Sequence, residues 1–332
     1  MSHTVSCLPR RDFFRLAGGV CSGLGWSATA AKAADTYPAK PVRIINNFAA
    51  GGPQDVLIRL VADKLTKSLQ QPFIVDYALG AGGSIGAQTV ARAAPDGYTL
   101  LVTLSSTIEV NPYLYANAGF DPLRSFSPIT LLAEFGLVLV VDPRKQWTRI
   151  SQLVESSQRE PLFYASGGVG TPAHLMGEVF CKQTGARISH VPYKGNAPGV
   201  MAVLGGEVST MFSAIPGVLA HVRSGALKAL AVTGTSRAKL LPEVPTFSEL
   251  GVDAMTQSFG HYLLAPKGMN AENIATLQKL ATQSLSDESS TTLLRGIGLD
   301  PAAMTPKETQ DRIEESTAFW KKFIAENQIK VP

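Results

Sequence analysis

Short apolar runs alternate along this chain with longer stretches in which apolar residues step by three and four. Val42-Arg43-Ile44-Ile45 has the length and β-branched character of a strand, and Val56, Leu57, Leu60, Val61, Leu65 and Leu69 after it mark one buried helix face. Phe73-Ile74-Val75 predicts a second strand, 85–94 a helix, and Thr99-Leu100-Leu101-Val102 a third strand beyond the Pro95-Asp96-Gly97 turn. Strands separated by helices predict parallel sheets with helices on both faces.

The alternation restarts at Leu137-Val138-Leu139-Val140-Val141. It continues through a helix from Ser151, strands at Phe163-Tyr164-Ala165 and 188–191, helices from Pro172 and Pro198, strands at 208–212 and 227–232, and a helix from Pro216. Leu263-Leu264-Ala265-Pro266 reads as a strand returning to the first sheet. The amphipathic stretches 271–285, 288–297 and 306–327 have no strand of their own and need that sheet to cover. The expected architecture is α/β with two lobes, each a mostly parallel sheet flanked by helices. Residues 36–135 with 258–332 form the first lobe, 136–257 the second, and two strands cross between them.

With 45% hydrophobic and 17% charged residues among 332, the chain has enough apolar material for two cores. Arg10, Arg11, Arg15 and Lys32 against Asp12 place most of the formal charge of +4 in the first 33 residues. The remainder carries no basic cluster interleaved with aromatics, which argues against a nucleic-acid partner. Residues 1–33 read as an export signal: a basic start, an apolar stretch from Leu16 to Ala31, and an A-x-A cleavage site at Ala31-Lys32-Ala33. Pro9-Arg10-Arg11-Asp12-Phe13-Phe14-Arg15 resembles a twin-arginine signal, with a general secretory signal as the alternative. The apolar stretch is short for a membrane span. Cys7 and Cys21 fall in this leader, so the processed chain keeps only Cys181 and no intrachain disulfide is expected. Cys181 sits in a helical stretch and reads as a small buried hydrophobe.

Three glycine-rich turns precede helices. Phe48-Ala49-Ala50-Gly51-Gly52-Pro53-Gln54-Asp55 leaves the first strand and opens the first helix, where unpaired N–H groups can receive an anion. Gly80-Ala81-Gly82-Gly83-Ser84 and Ser166-Gly167-Gly168-Val169-Gly170-Thr171 repeat the arrangement, the latter in the second lobe, so loops from both lobes can surround one ligand. Asp55 can cap exposed amides or meet ligand. A G-x-x-x-x-G-K-[ST] motif is absent and Gly80-x-Gly82 is followed by Ile85 where a dinucleotide fold requires glycine, so no phosphate cofactor is expected. Gly82-Gly83-Ser84-Ile85-Gly86 fits G-x-S-x-G, with His174, His190, His221 and His261 as possible bases. Tyr77 to Ala81 nevertheless separate this serine from its strand, unlike a nucleophile elbow. Metal-ligand spacings such as H-E-x-x-H and C-x-x-C do not occur.

Read in order, these segments resemble the substrate-binding receptors of tripartite tricarboxylate transporters, the Bug-type family. The resemblance runs through Tyr37-Pro38-x-Lys40-Pro41-Val42-Arg43, Phe48 to Asp55, Gly80 to Ala87 and Ala94-Pro95-Asp96-Gly97-Tyr98-Thr99-Leu100-Leu101. It continues through Asn111-Pro112-x-Leu114-Tyr115, Tyr164-Ala165-Ser166-Gly167, His174-Leu175, His190-Val191-Pro192-Tyr193-Lys194-Gly195 and Ala229-Leu230-Ala231-Val232-Thr233-Gly234. It implies a type II periplasmic-binding-protein fold with a hinge, a periplasmic location and no catalytic activity. No cofactor or metal is implied; the ligand is a small organic acid handed to integral-membrane transporter subunits. A monomer is expected.

The resemblance also places one ligand carboxylate against the loop after the first strand, partly through waters. The candidate contacts are Phe48, Ala50, Gly51, Gly52, Gln54 and Asp55, then Ser105 and Ser106 after the third strand, and Gly168, Thr171, His174, Ser213 and Ala214 from the second lobe. Departures from the family pattern bear on the ligand. Asn46-Asn47 for Val-Pro, and Ala49 for proline, are expected to loosen the loop; Asp76-Tyr77-Ala78-Leu79 removes a positive side chain. Ser213 for Asp disfavours an amino-acid ligand, and Gly260-His261-Tyr262 for Trp-x-Gly is expected to move aromatic bulk within the cleft. Two alternatives stand beside transport: a ligand sensor for a membrane signalling partner, and a serine hydrolase built on Ser84.

Overall fold

The computed structural model describes residues 37–115 and 117–329; the leader and its export features lie outside them. Strands β1 (Val42–Asn46), β2 (Phe73–Tyr77), β3 (Thr99–Leu104) and β4 (Phe126–Phe135) come first. Then follow β5 (Leu137–Val141), β6 (Leu162–Ser166), β7 (Ile188–Pro192), β8 (Thr210–Ala214), β9 (Lys228–Val232), β10 (Phe259–Pro266) and the two-residue β11 (Asp300–Pro301). Between them run α1 (Pro53–Leu69), α2 (Ser84–Ala91), α3 (Ser105–Glu109), α4 (Asn111–Leu114), α5 (Ile150–Ser157), α6 (Pro172–Thr184), α7 (Asn196–Gly205) and α8 (Leu219–Arg223). The chain ends on α9 (Ala271–Ser286), α10 (Glu288–Gly296) and α11 (Pro306–Asn327).

One sheet has the order β11-β4-β10-β3-β1-β2 and the other β7-β6-β8-β5-β9. Apart from β11 the two orders follow the same plan. β1 pairs in parallel with β2 and β3, and β6 with β7 and β8, whereas β10 and β5 run antiparallel to both neighbours. Each sheet is therefore mostly parallel in strand direction, with a reversed strand, β10 or β5, that arrives from the other sheet, and the two-residue β11 reversed at the edge of the first. The architecture is mixed α/β with helices flanking both sheets, as the alternation of elements predicted.

The chain leaves the first sheet at Gly136 and returns through 233–258. The two crossings touch: the Leu137 N–H donates to Thr233 Oγ1 at 2.9 Å and the Thr233 N–H to the Leu137 carbonyl at 2.8 Å. Apart from the short α3 and α4, which no apolar step marks, the helices form where the apolar steps predicted them. Pro53 and Pro172 sit in the first turns of α1 and α6, where a missing N–H costs nothing. Leu57, Val61 and Leu65 of α1 are fully buried under β1 and β3, each contributing roughly 1.5–3 kcal/mol. β10 is buried at every position, as a central strand covered on both faces must be. α9 packs on α1 and β4, and α11 on β4 and α3. Among the described residues no helix is long and apolar enough to cross a membrane.

Candidate functional site

In open α/β sheets a ligand crevice forms beyond the carboxyl ends of parallel strands. Here those ends are Asn46 of β1 and Leu104 of β3 in one sheet, and Ser166 of β6 and Ala214 of β8 in the other. The loop after β6 and the glycine turn after β2 come together at the α4 segment. A methyl group on Gly170 would lie 3.2 Å from Leu114 Cδ1 and 4.0 Å from the Tyr115 hydroxyl; one on Gly82 would lie 3.1 Å from that hydroxyl and from Asn111 Nδ2. The glycine loops of both sheets thus meet on either side of Asn111 and Tyr115.

The loop after β1 is tied down by side-chain amides. Gln54 Nε2 donates to Asn46 Oδ1 at 2.8 Å, Asn47 Oδ1 at 3.1 Å and the Val102 carbonyl at 3.1 Å. Asn47 Nδ2 donates to Thr103 Oγ1 at 2.8 Å and to the Gly83 carbonyl at 3.0 Å. The Phe48 N–H donates to Asn46 Oδ1 at 3.0 Å. Asn46 and Asn47 therefore stiffen the loop, contrary to the expected loosening, because their amides find buried partners on β3 and α1. Gln54 faces this network rather than the crevice.

Asp55 is likewise engaged. It accepts from the Gly51 N–H at 3.0 Å, the Tyr77 hydroxyl at 2.6 Å, Arg59 Nε at 3.1 Å and Asn46 Nδ2 at 3.3 Å. Desolvation works to raise its pKa, but the hydrogen bonds from Tyr77, Gly51 and Arg59 outweigh it and hold the carboxyl below its ordinary range. Its role is to shape the loop. Gly51, at φ +84, turns the chain where other residues are strained, and Ala50 and Gly51 are exposed. The N–H groups of Ala49, Ala50 and Gly52 meet no hydrogen-bond partner among the described residues.

The two serines after β3 differ. Ser105 is 1% exposed and its Oγ accepts the Gly260 N–H at 3.3 Å, so it braces β10 instead of meeting solvent. Ser106 keeps a hydroxyl that bonds none of the described residues. Tyr262 also points away from the crevice. It is fully buried in the core beside Ile45 and Leu101, so its ring adds no aromatic bulk to the cleft, contrary to what was expected of 260–262.

On the second sheet, Gly168 gives its N–H to Ser166 Oγ at 3.1 Å, and Thr171 Oγ1 donates to the Gly168 carbonyl at 2.7 Å. The Gly170 N–H donates to His174 Nδ1 at 3.1 Å, and His174 is buried. Burial, and then the neighbouring His190, push the His174 pKa down to about 3; burial alone takes His190 to about 4. Both rings are neutral across ordinary pH. Ser213 is fully buried and donates to Asn196 Oδ1 at 3.1 Å, leaving Ala214 half-exposed at the rim. The groups on this side that bond none of the described residues are the N–H of Gly167 and of Val169, together with Asn196 Nδ2. Asn196 and Tyr115 were not among the sequence candidates; Asn196 is marked by its place directly after Gly195, and Tyr115 by the Asn111-Pro112-x-Leu114-Tyr115 segment.

A hollow of about 300 Å³ beside the crossing is lined by Phe135, Gly136, Thr233, Ser236, Lys239 and Asp300 among others, and holds none of the candidate contacts. Its cations are already matched: Arg237 with Glu249 at 3.0 Å, and Lys239 and Arg295 with Asp300 at 3.4 and 3.3 Å. The open peptide donors lie instead on the glycine loops. Among the described residues no group of three or more His, Cys, Asp or Glu side chains could hold a metal ion.

A profile described as tripartite tricarboxylate transporter family receptor, TctC, matches residues 57–329. The chain belongs to this family. Protein BugT of Bordetella pertussis is 35% identical over 301 residues, covering 90% of this chain and 92% of the relative. Among solved structures, an R. palustris protein with adipate is 30% identical at a TM-score of 0.78, covering 89% of this chain and all of that one. MatC from Rhodopseudomonas palustris with bound malate is 27% identical at a TM-score of 0.75, covering 87% of this chain and all of that one. The TctC-family chain is a solute-binding receptor and not an enzyme. Ser84 fits that reading: it is 1% exposed, its Oγ accepts from Asn111 Nδ2 at 3.0 Å, and no histidine among the described residues bonds it.

Proposed function

We propose that this receptor grips a small organic carboxylate between the loops after β1 and β3 and those after β6 and β8. It delivers that acid, in the periplasm, to the integral-membrane subunits of a tripartite tricarboxylate-type transporter. The observation that carries the reading is the set of open peptide N–H groups on glycine loops of both sheets, with the nearby carboxylate of Asp55 already occupied. Such donors stabilise an anion without a buried cation, directly or through water. The adipate and malate in related structures support the ligand class. Residues 36–135 with 258–332 act as one lobe and 136–257 as the other, bending at the paired crossings, so that closure excludes water around the ligand. Residues 1–33 direct export and are removed near Ala33.

The test is mass spectrometry under native conditions of protein purified from its host, looking for a co-purified small acid, followed by calorimetry across a panel including adipate and malate. Gly51→Asp should weaken binding at least about tenfold, or about 1.4 kcal/mol, by setting a like charge in the loop. A wild-type chain that binds no acid, or a Gly51→Asp protein of undiminished affinity, would overturn the assignment.

A further inference from the structure

We infer that His174 and His190 are positioning residues that hold the second-sheet glycine loop in its binding shape from beneath, without touching the ligand. Their purpose rests on the receptor reading above; their geometry stands independently of it. A loop of sequence Gly167-Gly168-Val169-Gly170-Thr171 has many conformations open to it, and the one observed puts Gly168 at φ +132 and Gly170 at φ +77. Something must select it.

Two fixings do so. The Gly170 N–H ends on His174 Nδ1 at 3.1 Å, which requires a neutral ring with its proton on Nε2. The Gly168 N–H ends on Ser166 Oγ at 3.1 Å, and the same oxygen lies 3.0 Å from the Gly168 carbonyl and 2.6 Å from His190 Nε2. With the serine proton given to that carbonyl, His190 donates to Ser166. The imidazoles are themselves fixed. His190 lies between the Tyr164 ring, 4.9 Å away and stacked, and the His174 ring at 4.1 Å. The Tyr164 hydroxyl lies 2.7 Å from Glu178 Oε1 and 3.2 Å from the His174 carbonyl. The consequence for the loop is an alternation: the amides of Gly168 and Gly170 are bonded within the protein, whereas those of Gly167, just before them, and of Val169, between them, bond none of the described residues.

The chemistry selects the test. Asparagine places an oxygen where His174 Nδ1 sits, and glutamine places an amide nitrogen where His190 Nε2 sits, whereas leucine keeps bulk and supplies neither. Hydrogen exchange of a peptide spanning 166–172 is followed in ligand-free His174→Leu, His174→Asn, His190→Leu and His190→Gln proteins, relative to exchange in β5 so that a general loss of stability cancels. The leucine variants should exchange roughly tenfold faster in this segment, and the asparagine and glutamine variants should stay within about threefold of wild type. Affinity for the co-purified acid, or for adipate and malate as probes, should fall in the same order. Leucine variants that exchange like wild type, or isosteric variants no better than leucine, would overturn the inference. Exchange in the expected order with unchanged affinity would overturn the loop's part in binding. A wild-type chain that binds none of the acids would instead remove the ligand class, the exchange data still deciding whether the histidines set the loop.

Discussion

The hydroxyl of Tyr262 on β10 donates a 2.6 Å hydrogen bond to Glu109 Oε1 on α3, while Ser316 of α11 donates to Oε2 at 2.7 Å. Desolvation raises the pKa of this buried carboxyl, against the pull of Tyr262, Ser316, Arg312 and Ser105. The cluster joins the returning strand to the helix that begins with Ser105 and Ser106. Tyr262→Phe should therefore cost about 1–3 kcal/mol by leaving a buried oxygen short of a donor. A lowered urea midpoint with unchanged ligand affinity is the expected result, and an unchanged midpoint would show the contact to be dispensable.

Adjacent serines should separate stability from binding. Ser105→Ala removes the acceptor for the Gly260 N–H and should lower stability by about 1 kcal/mol, read as a lower urea midpoint, while sparing affinity. Ser106→Ala, whose hydroxyl bonds nothing described, should leave the midpoint alone and weaken acid binding severalfold, as read by calorimetry.

Acid should destabilise this protein through its buried histidines. Burial lowers His174 and His261 to about 3 and His190 to about 4, against an ordinary value of 6.5. Between those limits the unfolded chain binds more protons than the native one, so stability is complete above pH 6.5 and declines as pH falls toward 4. Each histidine withdraws up to about 1.4 kcal/mol per pH unit in that window. Urea midpoints measured from pH 7 to 4.5 should drop steadily. His261→Phe should flatten the slope, since His261 Nδ1 is buried without a partner.

The single cysteine of the described chain should be inert. Burial, and then the nearby Glu178, lift the Cys181 thiol to about 11. In protein lacking residues 1–33, a thiol-specific dye should label the native fold at least about a hundredfold more slowly than the urea-unfolded chain. Comparable rates would place Cys181 at an open surface.

Both sheets were legible because most strands are unbroken apolar runs and most helices have clean three- and four-residue steps. β4 was not: Ser127, Pro128 and Thr130 interrupt its apolar pattern, and only its pairing with β10 makes it a strand. β10 was visible from Leu263, whereas its start at Phe259-Gly260-His261 carries no alternation that marks an edge or a core. The glycine loops could be located from sequence. The facing of each polar side chain on them could not. Gln54, Asp55, Ser105 and Ser213 are turned inward by partners far along the chain, such as Val102 for Gln54, Gly260 for Ser105 and Asn196 for Ser213. Spacing says that a donor is near a crevice; only the fold says what has claimed it.

Main-chain N–H groups on the loops after β1 and β6 are written into the polymer and not into any one codon. On the proposed reading, neighbouring side chains that do not set the shape of these loops can therefore be exchanged one at a time, reshaping which acids fit, while the main-chain anchorage of a carboxylate survives each exchange. A receptor built this way can diversify its cargo without passing through an intermediate that binds nothing.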